Sequence, residues 1–266
     1  MFKKLTLLLL TASLVFVGCQ HKTEITESTV TEKQSESSLK NLISAYPDSL
    51  GLREDLIEYY RYLGNYDSAL EITNQAIQKD SDVAELWDIK ATLHFENEDT
   101  AASIKAFEKA ISIYPLPEYL ISLGTLYAQT KNPKALMIAD ALILGDRAKA
   151  QKEAIFIKGL YNNYTGNPKK AILYFDSCLR IDYTYMFAYR EKAIALYDLG
   201  KYDEAVQVLT RAVTVQNNFD EGYYWLGQCY EKLNRRDEAI ESYHKALLYD
   251  KDFVEAREAL SRLEAK

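Results

Sequence analysis

The chain has 266 residues, with only ten Gly and five Pro but 21 Tyr, a composition that favours helices over turn-rich folds. Its net charge at pH 7 is −7, and without residues 1–18 it is −9, because 30 basic side chains then remain against 39 acidic ones. A surface this acidic repels phosphate backbones, so the sequence argues against a nucleic-acid partner.

The N-terminus has the pattern of an export signal. Lys3 and Lys4 precede an apolar run, Leu5–Val17, that is too short to span a bilayer comfortably. The segment FVGC, which ends at Cys19, resembles the lipobox of bacterial lipoproteins. The resemblance implies that residues 1–18 are a signal peptide and that acyl chains on Cys19 anchor the protein in the bacterial cell envelope, on the outer membrane facing the periplasm. The alternative is an uncleaved N-terminal membrane anchor.

Residues 19–36 are predicted to be a flexible tether. After Cys19 they contain almost no large apolar side chains, so they cannot bury enough surface to offset the entropy of ordering. A coil of this length would hold the folded part of the chain about 20–25 Å from the membrane.

A 34-residue period runs through the rest of the sequence. In its last unit, small and bulky residues recur on two stretches of helical spacing that are separated by a turn at residues 234–237. The same residue types recur 34 residues earlier without a gap, and weaker copies continue back to residue 50. The two clearest units contain Tyr223, Leu226, Gly227, Tyr230, Ala239, Tyr243 and Ala246, and then Tyr189, Ala193, Leu196, Ala205, Leu209 and Ala212.

This pattern resembles the tetratricopeptide repeat (TPR) over residues 37–266. The resemblance implies an all-α fold, a right-handed α-α superhelix in which small residues let helix A and helix B of each repeat approach closely. We expect an N-terminal half-repeat around Leu39 and a C-terminal capping helix over residues 254–266. The six predicted repeats are 50–83, 84–116, 117–151, 152–185, 186–219 and 220–253.

The third repeat departs from this frame. Its turn at Lys131–Pro133 comes one residue early, and its second helix, predicted over Ala135–Leu144, lacks the expected aromatic residue. We expect Gly145 to end that helix in a left-handed cap, followed by an extra turn before the next repeat.

The sequence contains no motif for catalysis, nucleotide binding or metal binding. His94 and His244 are isolated, and the carboxylates are scattered over predicted helix surfaces. We therefore predict no catalytic residue, no metal site and no cofactor. Cys178 and Cys229 fall at core positions two repeats apart, which predicts buried thiols rather than a disulfide.

The predicted partner-binding surface is the concave groove that TPR proteins form from non-signature positions of their A helices. In repeats one to three this surface is mostly acidic, with Glu54, Glu58, Arg61, Glu85, Asp88, Phe95, Glu96 and Glu118. In repeats four to six it is apolar and aromatic, with Phe156, Leu160, Tyr164, Phe187, Arg190, Ile194, Tyr197 and Tyr224. Exposed patches of this kind usually have a binding role, so we expect the second half to grip an apolar segment of a protein partner, with Arg190 as a charged anchor. The alternative is that these side chains pack against neighbouring helices.

The sequence therefore predicts a non-catalytic protein-interaction scaffold on a lipid tether. Similar lipoproteins with TPRs help to assemble outer-membrane β-barrels or pilus secretins, and such an assembly factor is one alternative. An inert structural spacer is another, and an enzyme is the competing class.

Overall fold

The computed structural model describes residues 35–265, except for the side chains of residues 146–149. This part of the chain forms thirteen α-helices and contains no strand, so the predicted all-α fold is confirmed. The predicted signal peptide, Cys19 and nearly all of the predicted tether lie outside the described residues. The helices are α1 (Glu36–Ala45), α2 (Leu50–Tyr62), α3 (Tyr66–Lys79), α4 (Ala84–Glu96), α5 (Thr100–Ile113), α6 (Pro117–Gln129), α7 (Lys134–Tyr164), α8 (Pro168–Ile181), α9 (Met186–Asp198), α10 (Tyr202–Val215), α11 (Asp220–Lys232), α12 (Arg236–Tyr249) and α13 (Val254–Glu264).

The described residues divide into two compact units, residues 35–122 and 123–265. In the first unit, α1 lies where the half-repeat is predicted, and its Leu39 is 2% exposed in a cluster with Leu56 and Ile57 of α2. In the second unit, α13 covers the end of the helical stack. Its apolar face packs against α12, while its opposite face is exposed and charged.

The turns between helix A and helix B of each repeat recur with the predicted period. Each of these turns has one residue of positive φ, and these residues are Gly64, Glu98, Lys131, Gly166, Gly200 and Asn234. Neighbouring members are 34 residues apart except around Lys131, which comes one residue early, as the sequence predicts. The left-handed conformation closes a helix by letting backbone N–H groups reach its last carbonyls, as Lys201 N does with Leu196 O at 2.9 Å.

Close packing of helix A on helix B depends on a small residue facing a ring. A Cβ placed on Gly159 would lie 2.5 Å from the ring of Phe175, and one on Gly227 would lie 2.5 Å from the ring of Tyr243. Both rings are fully buried. In the repeat between them, Ala193 takes the place of the glycine and Leu209 takes the place of the ring. The larger residue on helix A is therefore matched by a smaller residue on helix B.

The helical run α7 contains the second helix of one predicted repeat and the first helix of the next. On a straight helix, Asp140 and Lys158 would be about 27 Å apart. Instead, Lys158 Nζ lies 2.7 Å from Asp140 Oδ1, so the run folds back on itself between these two residues. The predicted left-handed cap at Gly145 is wrong, because the backbone there has no positive φ and remains helical.

The ion pair within α7 has counterparts in regular repeats. Lys192 of α9 pairs with Asp176 of α8 at 2.6 Å, and Lys90 of α4 donates to Asn74 of α3 at 2.7 Å. Those partners are 16 residues apart in sequence, whereas Lys158 and Asp140 are 18 apart. The irregular junction is therefore two residues longer than its counterparts. The two additional residues lie within the helical run of α7.

The prediction of two buried, unpaired thiols is confirmed. Cys178 and Cys229 are free and fully buried in the second unit. Burial raises the pKa of each thiol to about 12, so both stay protonated at neutral pH.

We expect Gly227→Ala to lower the free energy of unfolding by about 1–3 kcal/mol, because the new methyl group would displace the ring of Tyr243. The matched control is Gly51→Ala near the start of α2, where nothing lies within 4 Å of the added methyl group. This control should raise stability by about 0.5–1 kcal/mol. Urea denaturation followed by circular dichroism measures both changes. Equal effects of the two substitutions would contradict the packing described above.

Candidate partner-binding surface

One face of the second unit carries a strip of half-buried apolar side chains on α9 and α11. We call it the aromatic strip. On α9 its members are seven and three residues apart, which places them on one side of the helix. Tyr197 of α9 meets Trp225 of α11 edge to face, with ring centroids 5.6 Å apart, and Trp225 meets Tyr224 at the same distance. The strip consists of Phe187, Ile194, Tyr197, Tyr224 and Trp225.

Two of the predicted groove residues are not on any surface. Phe156 is 5% exposed and Leu160 is 2% exposed. The ring of Phe156 packs against those of Phe175 and Tyr185, with centroids 5.8 and 5.2 Å away. The prediction that these two residues line an open groove is therefore wrong, and packing against neighbouring helices accounts for both. Tyr164 is half-buried, and its pKa is raised by burial and by the nearby Glu191 carboxylate.

Arg190 is held within the protein. Its Nη1 donates to both carboxylate oxygens of Glu221 at 2.8 Å, and its Nε donates to Glu191 at 3.1 Å. Its guanidinium also stacks on the ring of Phe187, 5.4 Å from the centroid. The side chain is only 11% exposed, so Arg190 links α9 to α11 and is not the free anchor for a partner that the sequence predicts.

Glu191 and Glu221 complete this buried charge cluster. Burial raises the pKa of the Glu191 carboxyl, and the neighbouring Arg190 opposes that rise. The guanidinium of Arg190 lies between the two carboxylates and donates hydrogen bonds to both of them.

A second ion pair lies at the α13 side of the same face. Arg262 donates to both oxygens of Glu231 at 2.7 Å, and the hydroxyl of Tyr243 donates to Glu231 at 2.6 Å. Burial acts to raise the pKa of Glu231, but the hydrogen bonds from Arg262 and Tyr243 outweigh it and lower that pKa. The aromatic strip therefore lies between two groups of paired charges, in which both arginines are already engaged by carboxylates of the protein.

In the first unit most of the predicted acidic side chains are at least partly exposed. Arg61 joins α2 to α4 by hydrogen bonds to Glu96, and it also donates to Glu58 on its own helix. Phe95 is 8% exposed, so its predicted place on the surface is wrong. Burial and the neighbouring carboxylates of Glu85 and Glu118 raise the pKa of Asp88 to about 6.

Comparisons with known proteins agree with this architecture. Models of the tetratricopeptide repeat match residues 54–117 and 220–253, and a model of the TPR repeat matches residues 194–234. A TPR repeat-containing protein of Methanocaldococcus jannaschii is 34% identical over 91 residues, which are 34% of this chain and 28% of that protein. This chain is a tetratricopeptide repeat protein.

Solved TPR structures show the same fold. A TPR protein from Parabacteroides merdae superposes with a TM-score of 0.74 at 18% identity, covering 86% of this chain and 91% of that one. PilW, a widely conserved type IV pilus biogenesis factor, superposes with a TM-score of 0.61 at 16% identity, covering 80% of this chain and 97% of PilW. A thermophilic TPR protein of Thermus thermophilus superposes with a TM-score of 0.58 at 19% identity, covering 69% of this chain and 100% of that one. At these identities the likeness concerns the fold alone, and the TPR fold indicates a protein-interaction scaffold.

Sequence reasoning missed Trp225, which joins the strip on α11 to Tyr197 on α9. Its position is not a signature position of the TPR, because its equivalents 34 and 68 residues earlier are Glu191 and Ile157. For the ion pairs between helices, the sequence does contain a signal that could have predicted them. Arg190 and Glu221, like Glu231 and Arg262, are oppositely charged residues 31 positions apart on successive A helices.

Among residues 35–265, no group of three or more His, Cys, Asp or Glu side chains is placed to hold a metal ion. In the same range, no helix has both the length and the apolar character of a bilayer span.

We expect Asp88→Asn to stabilise the protein by about 1 kcal/mol at pH 8, because it removes a partly buried carboxylate that lies among other acidic groups. The folded pKa of about 6 lies above the ordinary value of 3.8, so the stability that protonation of Asp88 provides is complete below pH 3.8 and is lost as the pH rises to about 6. The benefit of Asn should therefore disappear near pH 4. Urea midpoints at both pH values test this expectation.

The matched control is Asp55→Asn on α2, where the side chain is exposed. A benefit of Asp88→Asn that is the same at pH 4 and pH 8 would show that the carboxyl is not perturbed.

Proposed function

We propose that this protein is a non-catalytic scaffold that is lipid-anchored in a bacterial cell envelope and binds an apolar segment of a partner protein on its aromatic strip. The observation that carries the proposal is the strip itself, with four aromatic rings and Ile194 half-exposed on successive A helices. Aromatic side chains contribute most of the binding energy at many protein interfaces, because they bury a large area at a small entropy cost.

The surroundings of the strip support an apolar partner segment rather than a charged one. Arg190 is already neutralised by Glu191 and Glu221, and Arg262 by Glu231. A charged partner would have to displace these pairs, which leaves buried charges unpaired. An apolar segment gains area against the rings and leaves both ion pairs intact.

The edge-to-face rings also hold the strip in one shape. Tyr197 contacts Tyr202 and Trp225, and Tyr224 contacts Phe253 with centroids 4.9 Å apart. Side chains fixed in this way lose little further freedom when a partner binds, which favours affinity.

We expect a photo-crosslinking amino acid at position 197 to give a discrete crosslinked product in cells that naturally contain this protein. The same amino acid at position 248, where Leu248 is 67% exposed on α12, should give none. In purified form, Tyr197→Ala and Trp225→Ala should each weaken binding of the crosslinked partner by about 30-fold, the loss typical of an interface hot spot.

Leu248→Ala is the matched control for these affinities, and helical circular dichroism verifies that each variant folds. Crosslinks from position 248 alone, or full affinity in the Tyr197 and Trp225 variants, would favour an inert spacer or a different surface.

The envelope location is part of the proposal and rests on the N-terminal sequence. The lipobox-like FVGC, together with the preceding Lys residues and apolar run, supports cleavage before Cys19 and acylation of its thiol. The polar residues that follow suit a tether between the membrane and the TPR units. An acidic surface also fits a protein that does not bind nucleic acid.

We expect Cys19→Ser to abolish incorporation of an alkyne-labelled fatty acid and to release the chain from the membrane fraction. Cys229→Ala is the control, because that thiol is buried in α11 and should not be acylated. Labelling that persists in Cys19→Ser would refute acylation at this residue. Membrane retention without any label would instead favour an uncleaved N-terminal anchor.

A role as an assembly factor for an outer-membrane complex is a narrower form of the same proposal. PilW is a pilus biogenesis factor, but its likeness at 16% identity concerns the fold and does not select this role. The crosslinked partner would decide whether the scaffold serves such a complex.

A further inference from the structure

A cavity of about 550 Å³ opens between α8, α9 and α10, and no residue of the aromatic strip lines it. Each of the three helices contributes polar side chains to the wall. We call this site the cationic cavity, and its polar lining consists of Asp176, Arg180, Tyr189, Lys192, Gln207 and Arg211.

The charge of the cationic cavity is opposite to that of the whole chain. Three of its lining residues are basic and one is acidic, which gives a local charge of +2 in a chain of net charge −7. Lys192 of α9 is paired with Asp176 of α8 at 2.6 Å, which leaves the charges of Arg180 on α8 and Arg211 on α10 in excess. The cavity therefore attracts anions although most of the surface repels them.

Several hydrogen-bond donors around the cavity are not used by the protein. Within residues 35–265, Arg211 has no hydrogen bond or ion pair with another residue, and Arg180 donates only to the hydroxyl of Ser177, at 2.7 Å. Both arginines are exposed, so their unused N–H groups are accessible to a ligand in the cavity.

The same site in the next repeat shows that the fold alone does not produce these charges. A shift of 34 residues replaces Arg180 by Thr214 and Lys192 by Leu226, between α10 and α12. The counterpart of Arg211 is Lys245, which is paired at 2.6 Å with Glu241. Glu241 occupies the position that corresponds to Gln207 of the cationic cavity, so the excess positive charge is absent from the next repeat.

The equivalent site in the first unit contains lysines with a different use. There Lys90 and Lys109 lie over the indole ring of Trp87, 5.4 and 6.0 Å from its centroid. Trp87 takes the place of Tyr189, so those cations are engaged by an aromatic face of the protein itself.

We propose that the cationic cavity binds a phosphate group. A phosphate monoester has a charge of about −1.5 to −2 at pH 7, which matches the local charge of +2. Its oxygens accept several hydrogen bonds, and the planar guanidinium groups of Arg180 and Arg211 suit such an oxyanion well. The phosphate could belong to a small soluble metabolite or to a lipid headgroup. This inference does not depend on the aromatic strip or on its partner.

Isothermal titration calorimetry of the full chain in mild detergent tests the proposal with three probes. These are inorganic phosphate, a water-soluble short-chain phosphatidic acid, whose headgroup is a phosphate monoester, and acetate at the same ionic strength. Binding of inorganic phosphate without phosphatidic acid would assign the site to soluble phosphates, and the reverse would assign it to a lipid headgroup. Absence of binding by both, or equal binding of acetate, would overturn the proposal.

Variants locate the binding. We expect the double substitution Arg180→Gln/Arg211→Gln to weaken binding of the phosphate probe by at least about tenfold, because each arginine contributes a charge-assisted hydrogen bond. Gln207→Glu should have a similar effect with every cation still present, because it reproduces the carboxylate of the next repeat.

The control Lys201→Gln/Lys245→Gln removes two positive charges elsewhere in the same unit and should leave affinity within about twofold. Equal losses in the control and the arginine variant would show non-specific attraction and would overturn the proposal.

Discussion

The fold depends on volume matching between helix A and helix B of each hairpin. At one crossing point a ring of helix B fills the space that a missing side chain leaves on helix A, as with Gly159 and Phe175 or Gly227 and Tyr243. This contact sets how closely the two helices lie, and hence where the remaining face of each hairpin meets its neighbour. The strip on α9 and α11 exists because that spacing brings Tyr197 and Trp225 into contact.

The electrostatics of the second unit follow from the same spacing. Successive A helices lie close enough for Arg190 to reach Glu221. Successive hairpins likewise lie close enough for Lys192 to reach Asp176. Most charged groups on the strip's face are thereby neutralised inside the protein, which leaves apolar rings as the accessible chemistry. The cationic cavity differs because it has more basic groups than nearby acidic partners.

The period of the sequence was sufficient to predict the helices and turns, because signature residues carry the packing and the turns need residues that accept positive φ. It placed the early turn at Lys131 correctly. It failed at Gly145, where the chain reverses without a left-handed residue. The period could not show which face residues are covered by an adjacent helix, so Phe156 and Leu160 were placed on the surface although both are buried. Pairwise partners such as Glu221 for Arg190 depend on side-chain reach between helices, which spacing alone does not give.

The two thiols within the repeats have a consequence for how the chain withstands oxidation. Disulfide formation and alkylation require an accessible thiolate, and neither Cys178 nor Cys229 offers one while its hairpin is folded. Oxidants can therefore damage these sites only before the chain folds or during transient opening. The rate at which a thiol reagent modifies the native protein consequently reports how often the hairpins around α8 and α11 come apart.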